Sequence, residues 1–239
     1  MADCADRRSL GGPPPQLFCA ANLRWVAVAE HIVLLDLTEG VYDVIDDVGA
    51  AMWTALLQPP DERDIAGLAE QYGAPAAAVH SDFVDFAAAQ LAAGRLSTER
   101  VPETAPPLAT TVPRRRPTLL RALRERASVE RDLRKSFAIG YAGRTGQGAD
   151  VTPPRPDPVR VAKTFRTAEG LYPARDAPLD CLPRSLALTR FLRTAGWPAQ
   201  HVVGVALYPF EAHAWVELEG ARVNESDASL RRFTVIQRA

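Results

Sequence analysis

Two residues of this sequence, Cys181 and His213, suit nucleophilic chemistry, in which a thiol attacks a carbonyl carbon and an imidazole takes up the proton. Cys181 lies in the stretch DCLPRSLALTRFLRTAG, residues 180–196, whose apolar spacing predicts a helix beginning at the cysteine and ending before Gly196. At a helix N-terminus the unpaired N–H groups and the positive end of the macrodipole stabilise a thiolate, which is the form that attacks a carbonyl carbon. The alternative is that Cys181 is a small buried hydrophobic residue.

His213 lies in the predicted strand AHAWVEL, which is followed by a hairpin turn. A three-residue loop over 218–220 places Glu225 directly opposite His213, where a carboxylate fixes the tautomer of the imidazole and stabilises its charged form. A two-residue turn places Ser226 there instead, with Asp227 as the nearest other carboxylate. The third residue of the site therefore depends on the register.

Other candidate groups are less suited to this chemistry. Ser185 lies inside the predicted helix, where its hydroxyl bonds a preceding carbonyl, and His201 precedes a strand at its rim. Cys4 and Cys19 have no base nearby in the sequence. Three cysteines at wide, irregular spacing predict neither a disulfide framework nor a zinc site. We expect no metal and no cofactor.

The composition is that of an ordinary core-forming chain. Of 239 residues, 47% are hydrophobic and 24% charged, and the formal net charge is -1. This balance argues against a general nucleic-acid or membrane-surface binder, and no apolar run reaches the roughly 20 residues that a membrane span needs. The N-terminus lacks a signal-peptide pattern, so we expect a cytoplasmic protein.

The chain is predicted to contain two ordered regions. A disordered tail is predicted over 1–16. It precedes a region over 17–97, in which LRWVAVAE, HIVLLDL and GVYDVID predict three strands and are followed by three helices. The second of these helices is predicted to begin at Asp61. A Pro-rich linker covers 98–117, and its three consecutive arginines are either simply solvated or bind an acidic partner.

The second region covers 118–239. It opens with a basic amphipathic helix over 118–142, which either packs on the rest of the region or contacts another protein. A helix capped by Asp157 follows, then the helix that carries Cys181, and then three strands.

The segments CLPRSLAL, GWPAQHVVGVAL and HAWVELEGARVNE, within residues 155–239, resemble the transglutaminase-like leader peptidase of lasso-peptide biosynthesis, the B protein. The resemblance implies a papain/transglutaminase-like fold with Cys181 as nucleophile and His213 as base. Glu225 stands at the family's aspartate position and is one methylene longer. The implied partners are the leader region of a lasso precursor peptide and an ATP-dependent, asparagine-synthetase-like lasso cyclase.

The segment LLDLTEGVYDVIDDVGAAMW resembles a RiPP recognition element, a PqqD-like winged-helix-like domain. The resemblance implies that a leader peptide adds as a strand beside Val41 to Ile45, against the helix over 75–93. The peptide-binding residues that we expect are Val41, Tyr42, Val44, Phe83 and Ala87. The alternative for Tyr42, Val44 and Phe83 is ordinary core.

The fold class that we predict is α+β. A small winged-helix-like domain of three strands and three helices is followed by a papain/transglutaminase-like cysteine peptidase domain. The predicted function is hydrolysis of the leader–core peptide bond of a lasso precursor. Two alternatives remain open: an acyltransferase with the same thiol chemistry, and a non-catalytic peptide-binding chaperone for the cyclase.

Overall fold

The structure is a computed structural model that describes residues 14–100, 111–173, 180–223 and 225–239. Most of the predicted tail with Cys4, and residues 101–110 of the predicted linker, lie outside the described residues. In chain order the strands and helices are β1 (Phe18–Cys19), β2 (Leu23–Val28), β3 (His31–Asp36), β4 (Tyr42–Ile45), α1 (Asp47–Leu57), α2 (Ile65–Gln71), α3 (Ala76–Ala92), β5 (Leu96–Ser97), α4 (Leu119–Lys135), α5 (Phe137–Thr145), α6 (Pro158–Glu169), α7 (Cys181–Thr194), β6 (Gln200–Ala206), β7 (Glu211–Leu218), β8 (Ala221–Val223), α8 (Asp227–Leu230) and β9 (Thr234–Arg238).

The described residues divide into two compact units. Unit 1 contains residues 14–23, 29–32 and 44–100, and unit 2 contains residues 24–28, 33–43 and the described residues from 111 onwards. Most of β2, most of β3 and the start of β4 therefore group with the C-terminal region. The mixture of helices and antiparallel strands confirms the predicted α+β class.

Local sequence signals explain the helix starts in unit 1. The Asp46 side chain accepts a hydrogen bond from the Gly49 N–H at 2.9 Å and caps α1. Asp64 does the same for α2, with its carboxylate 2.7 Å from the Gly67 nitrogen. The predicted start at Asp61 is wrong, because Pro60–Glu62 forms a separate 3₁₀ turn before α2.

The described end of the predicted tail contacts α1. The side-chain amide of Gln16 donates to the Leu57 carbonyl at 3.1 Å, and the Leu17 N–H donates to the Leu56 carbonyl at 3.1 Å. Leu17 is fully buried and packs within unit 1. The buried core of this unit also contains Trp53, Leu56, Val79, Phe83 and Ala87.

Strands β2, β3 and β4 form a three-stranded sheet in the order β2-β3-β4, which makes β4 an edge strand of that sheet. Val33 and Leu35 on β3 belong to the hydrophobic core of unit 2. Gly40, in the turn before β4, has a φ of 72°, and a Cβ at this position would lie 2.2 Å from the Phe137 ring. Only glycine fits both constraints.

The predicted basic helix over 118–142 is two helices in the structure. Ser136 is extended, with a φ of -167° and a ψ of 143°, and it separates α4 from α5. The two helices pack closely, because a Cβ on Gly140 would lie 2.5 Å from the Leu133 side chain. Helix α4 also packs on α6 and α7, so the amphipathic helix forms part of unit 2.

Unit 2 is built on an antiparallel sheet in the order β8-β7-β6-β9. Strand β9 was not predicted, although Thr234, Val235 and Ile236 form a β-branched run that signals it. Helix α7 packs on one face of this sheet, where Ala214 and Val216 of β7 share a hydrophobic core with the buried side chains of the helix. Helix α6 begins as predicted, with Asp157 accepting a hydrogen bond from the Val159 N–H.

The arginine run of the predicted linker is partly structural. The Arg114 guanidinium donates to the backbone carbonyls of Thr152 and Pro154, whereas Arg115 and Arg116 are exposed. Across the described part of the chain, no helix combines the length and apolar character required to cross a membrane.

Candidate active site

Cys181 is the first residue of α7, as the sequence predicts. Its half-buried side chain lies where the backbone N–H groups of Ala214, Leu182 and Cys181 itself favour the thiolate. Ala214 belongs to β7, so the start of the helix and the strand that carries His213 meet at the sulfur.

The net electrostatic effect on Cys181 differs from the sequence-based expectation of a stabilised thiolate. Burial raises the pKa of the Cys181 thiol above its ordinary value and outweighs the backbone N–H groups and Arg184, which act in the opposite direction. At a given pH the buried thiol therefore holds less thiolate than an ordinary cysteine does.

The ring of His213 is held by aromatic neighbours. His213 pairs with Gly204 across β7 and β6, and its ring stacks on Phe233 with centroids 5.5 Å apart. The ring of Trp215, two residues further along β7, lies beside the imidazole, with centroids 6.3 Å apart and planes 19° from parallel. These contacts restrict the imidazole to a narrow range of orientations.

The predicted three-residue hairpin loop is wrong, because β7 and β8 are joined by a two-residue turn. Leu218 pairs with Ala221, and the turn residues Glu219 and Gly220 have positive φ values of 51° and 81°, as a type I′ turn requires. Strand β8 ends at Val223, so the ladder stops before it reaches His213.

Glu225 nevertheless lies beside His213, with its Oε1 3.5 Å from the His213 Nε2. Because pairing ends at Val223, the carboxylate reaches the imidazole from the segment after the strand and not from a paired position. With Nε2 facing Glu225, the other ring nitrogen, Nδ1, is left for proton exchange.

Arg184 is a site residue that the sequence reasoning missed. Its Nη2 donates a hydrogen bond to Glu225 Oε1 at 3.1 Å, closer than the contact of the same oxygen with His213. Arg184 lies one helical turn after Cys181, and this i,i+3 spacing was the available signal.

A cavity of about 840 Å³ in unit 2 joins these groups. Cys181, His213 and Glu225 all line it, so the three predicted catalytic residues share one cavity. Aromatic side chains form much of the remaining wall: Tyr42, Phe137, Tyr141, Phe210 and Phe233. The arrangement places a thiol, an imidazole and a carboxylate beside a largely aromatic surface.

Tyr42 is the predicted peptide-binding residue that the structure places in this cavity. Its ring packs against Phe210 with centroids 5.5 Å apart. Burial, with a smaller effect of Cys181, raises the pKa of Tyr42 to about 12, so its hydroxyl remains a hydrogen-bond donor at neutral pH.

The other predicted peptide-binding residues differ in exposure. Val41 is 61% exposed and Val44 is 40% exposed. Phe83 and Ala87 are 1% and 2% exposed and lie in the core of unit 1, which is the alternative considered for Phe83 from the sequence. The side chains of Phe83 and Ala87 are therefore buried in the structure.

Two family descriptions match this sequence. That of the transglutaminase-like superfamily matches residues 84–238, which is more than half of the chain. This chain belongs to the transglutaminase-like superfamily. The description of coenzyme PQQ synthesis protein D, PqqD, matches residues 31–96, so a PqqD-like region precedes the transglutaminase-like one.

A curated relative and a solved structure are also similar to this chain. The microcin J25-processing protein McjB of Escherichia coli is 39% identical over 57 residues, which cover 24% of this chain. The chain spans 27% of that protein's length. The structure titled TbiB1 in complex with the TbiA(beta) leader peptide has 24% identity and a TM-score of 0.30, covering 35% of this chain and 98% of the other.

A serine–histidine pair, separate from Cys181 and His213, lies buried in the transglutaminase-like region. The Ser185 hydroxyl donates to the Leu182 carbonyl at 3.1 Å, as predicted, and lies 2.8 Å from His201 Nε2. The prediction of His201 at a rim is wrong, because the residue lies within β6 and is fully buried. Burial, with Arg193 nearby, lowers the pKa of His201 to about 3, so it remains neutral.

Within the described ranges, no group of three or more His, Cys, Asp or Glu side chains is arranged to hold a metal ion.

Proposed function

We propose that this transglutaminase-like protein is a lasso-peptide biosynthesis B protein that hydrolyses the leader–core peptide bond of a precursor. The observation that carries the proposal is the presence of Cys181, His213 and Glu225 on one cavity. Further support comes from the similarity to a microcin-processing protein and from the PqqD-like region ahead of the peptidase-like one.

In the proposed reaction, the Cys181 thiol gives its proton to His213 Nδ1 as the sulfur attacks the scissile carbonyl. The protonated imidazole then delivers that proton to the leaving amine of the core peptide, which leaves the leader as a thioester. A water molecule, activated by His213, hydrolyses the thioester and frees the leader carboxylate. Glu225 stabilises the imidazolium from 3.5 Å.

The raised pKa of Cys181 favours a mechanism in which His213 acts as a general base during attack. The tetrahedral oxyanion needs hydrogen-bond donors, and the Cys181 backbone N–H at the helix start is suited to this role. Tyr42 lines the same cavity with a protonated hydroxyl, so we include it among the residues that contact the peptide near the scissile bond.

The leader is proposed to bind along the β4 edge, where Val41 and Val44 offer exposed apolar surface. Strand addition at an edge supplies affinity through the backbone, and alternate side chains supply specificity. A chain that binds the leader and cuts behind it raises the effective concentration of the scissile bond. The freed core amine then passes to an asparagine-synthetase-like cyclase.

A second candidate, a non-catalytic leader-binding chaperone for the cyclase, is favoured by the burial that disfavours the Cys181 thiolate. An acyltransferase shares the thioester and differs in its acceptor.

The experiment is mass spectrometry of a lasso-type precursor incubated with the wild-type chain or with Cys181→Ala, with and without the cyclase. Cleavage by the wild type alone, with the mass of one water added across the bond, is the expected result. A product joined to an amine identifies the acyltransferase. Intact precursor with every protein combination, despite measurable binding, rejects the peptidase in favour of the chaperone.

A further inference from the structure

The Asp180 carboxylate, next to Cys181 in the sequence, does not cap the helix that begins at Cys181. Asp180 occupies the N-cap position of α7, immediately before Cys181. An aspartate at this position ordinarily accepts hydrogen bonds from the N–H groups of the first helical turn. Asp180 makes no such capping bond, and its backbone lies in the helical region with a φ of -96° and a ψ of -17°.

The Asp180 side chain pairs instead with Arg126 on α4, through Oδ1 and the guanidinium Nη2. Arg126 is 1% exposed. Its guanidinium also contacts Glu130 at 2.7 Å and Glu169 on α6 at 3.4 Å, and it lies 4.9 Å from the centroid of the Tyr172 ring. One buried guanidinium therefore ties α4 and α6 to the residue that precedes the cysteine.

The ion pair between Asp180 and Arg126 affects which groups at the start of α7 lie near the Cys181 sulfur. The backbone N–H groups of Leu182 and Cys181 favour the Cys181 thiolate. A capping carboxylate would compete for N–H groups of the first turn and would bring a negative charge close to the sulfur. Both effects disfavour the thiolate and any oxyanion that forms beside it.

We infer that Arg126 is a positioning residue of the active site, which holds the Asp180 carboxylate away from the N-terminus of α7 and keeps the first-turn N–H groups available to Cys181. The inference rests on the proposed role of Cys181 as nucleophile. Its physical part, the effect of Arg126 on the thiol, stands whether or not the chain cleaves a precursor.

Other ionisable groups around the thiol remain in place when Arg126 is changed. The ones that line the same cavity are Tyr42, Tyr141, Asp180, Arg184, Glu211, His213, Glu225 and Arg232. Of these, Asp180 is paired with Arg126. Substitution of Arg126 thus releases the Asp180 carboxylate in this cavity, together with Glu130 and Glu169, which are not among the residues that line it. A second substitution at Asp180 removes the Asp180 charge alone.

The test measures alkylation of Cys181 by iodoacetamide against pH in the full chain, with the Cys181 peptide quantified by mass spectrometry. Arg126→Gln is expected to slow alkylation at neutral pH by about threefold to tenfold, the effect of a like charge placed near a titrating group. The double variant Arg126→Gln with Asp180→Asn should return to the wild-type rate, because asparagine carries no charge.

Arg134→Gln is the matched control. Arg134 also lies on α4 and contacts Glu130 at 3.1 Å, but it is largely exposed and is not among the arginines paired with Asp180. Its alkylation profile should equal that of the wild type. If Arg126 is only structural, Arg126→Gln should lower thermal stability without shifting the alkylation profile, or should shift it in a way that Asp180→Asn does not reverse. Either result overturns the inference.

Arg126→Gln leaves buried carboxylates without their guanidinium and can prevent folding. Arg126→Lys then carries the test, because a single ammonium keeps the charge but cannot reproduce the guanidinium fork that contacts several carboxylates. Slower alkylation that is again reversed by Asp180→Asn supports the inference. A wild-type profile for Arg126→Lys, with lowered stability alone, rejects it.

Discussion

The Glu225 carboxylate contacts two basic side chains, those of Arg184 and His213. Its Oε1 lies 3.1 Å from Arg184 and 3.5 Å from His213. Arg184 is always charged and holds the carboxylate in place, whereas His213 gains its charge only when it accepts a proton. In the proposed reaction, the attraction between His213 and Glu225 therefore strengthens as Cys181 passes its proton to His213, which is when stabilisation of the imidazolium is useful.

The pH dependence of Cys181 alkylation tests this order of events. Because burial raises the pKa of the thiol, the free protein should hold less thiolate at any given pH than an ordinary cysteine does. The midpoint of iodoacetamide alkylation at Cys181 should therefore lie above the roughly 8.5 of a free cysteine. The rate is followed from pH 6 to 10 by mass spectrometry of the Cys181 peptide.

A short unstructured peptide containing the same sequence around the cysteine serves as the reference. A midpoint for the protein below that of the peptide would show that a thiolate–imidazolium pair exists before substrate binds. The general-base order would then be incorrect.

At the scale of residues, the sequence predicted which side chains lie together better than it predicted how they meet. The start of α7 at Cys181 follows from helix signals that are local, so it could be predicted. The approach of Glu225 to His213 was predicted from a strand register that does not occur, since β8 ends at Val223. Contacts made by an irregular segment have no periodicity from which to predict them.

Close approach between elements is the main feature at the scale of strands and helices. The turn before β4 passes so near α5 that a Cβ on Gly40 would lie 2.2 Å from the Phe137 ring. Gly40 and Phe137 both line the cavity that contains Cys181. The glycine thus sets the position of a cavity wall as well as the conformation of a turn.

Gly40→Ala should lower the free energy of unfolding by about 2–4 kcal/mol, from left-handed backbone strain together with overpacking against Phe137. Gly220→Ala is the matched control in the same unit. Gly220 has a φ of 81°, similar to the 72° of Gly40, but no atom lies within 4 Å of its added Cβ. Its loss should be about 1 kcal/mol, from backbone strain alone.

Urea denaturation followed by tryptophan fluorescence provides both values. Equal losses for the two variants would mean that the Phe137 ring moves aside without cost. The sequence alone predicts a turn glycine at position 40, but it does not predict the ring above it. That contact joins segments 97 positions apart, so only the tertiary structure supplies it.

For the whole molecule, the order of strands and helices along the chain was more predictable than their division between the two units. Hydrophobic periodicity and turn residues indicate most strands and helices of the chain. They do not indicate that Val33 and Leu35, on a strand of the PqqD-like match, belong to the core of unit 2. A buried strand has apolar residues on both faces, and the pattern does not reveal which core each face joins.

The proposed division of labour between leader binding and cleavage predicts separable kinetic effects in the full chain. Val41→Glu and Val44→Glu place a charge on exposed apolar positions of the β4 edge and should raise KM for the precursor by about tenfold or more, with kcat within about twofold. Cys181→Ala should abolish turnover and leave the dissociation constant for the leader unchanged.

Val159→Glu is the matched control, since Val159 is an exposed valine on α6 at which the same change should alter neither constant. A short peptide that spans only the leader–core junction should be cut with the same low kcat/KM by the wild type and by the three valine variants, because it lacks the segment that β4 is proposed to bind. Steady-state kinetics by mass spectrometry and leader binding by fluorescence anisotropy provide the measurements. If both valine variants lowered kcat and left KM unchanged, the β4 edge would contribute to the chemical step and the leader would bind elsewhere.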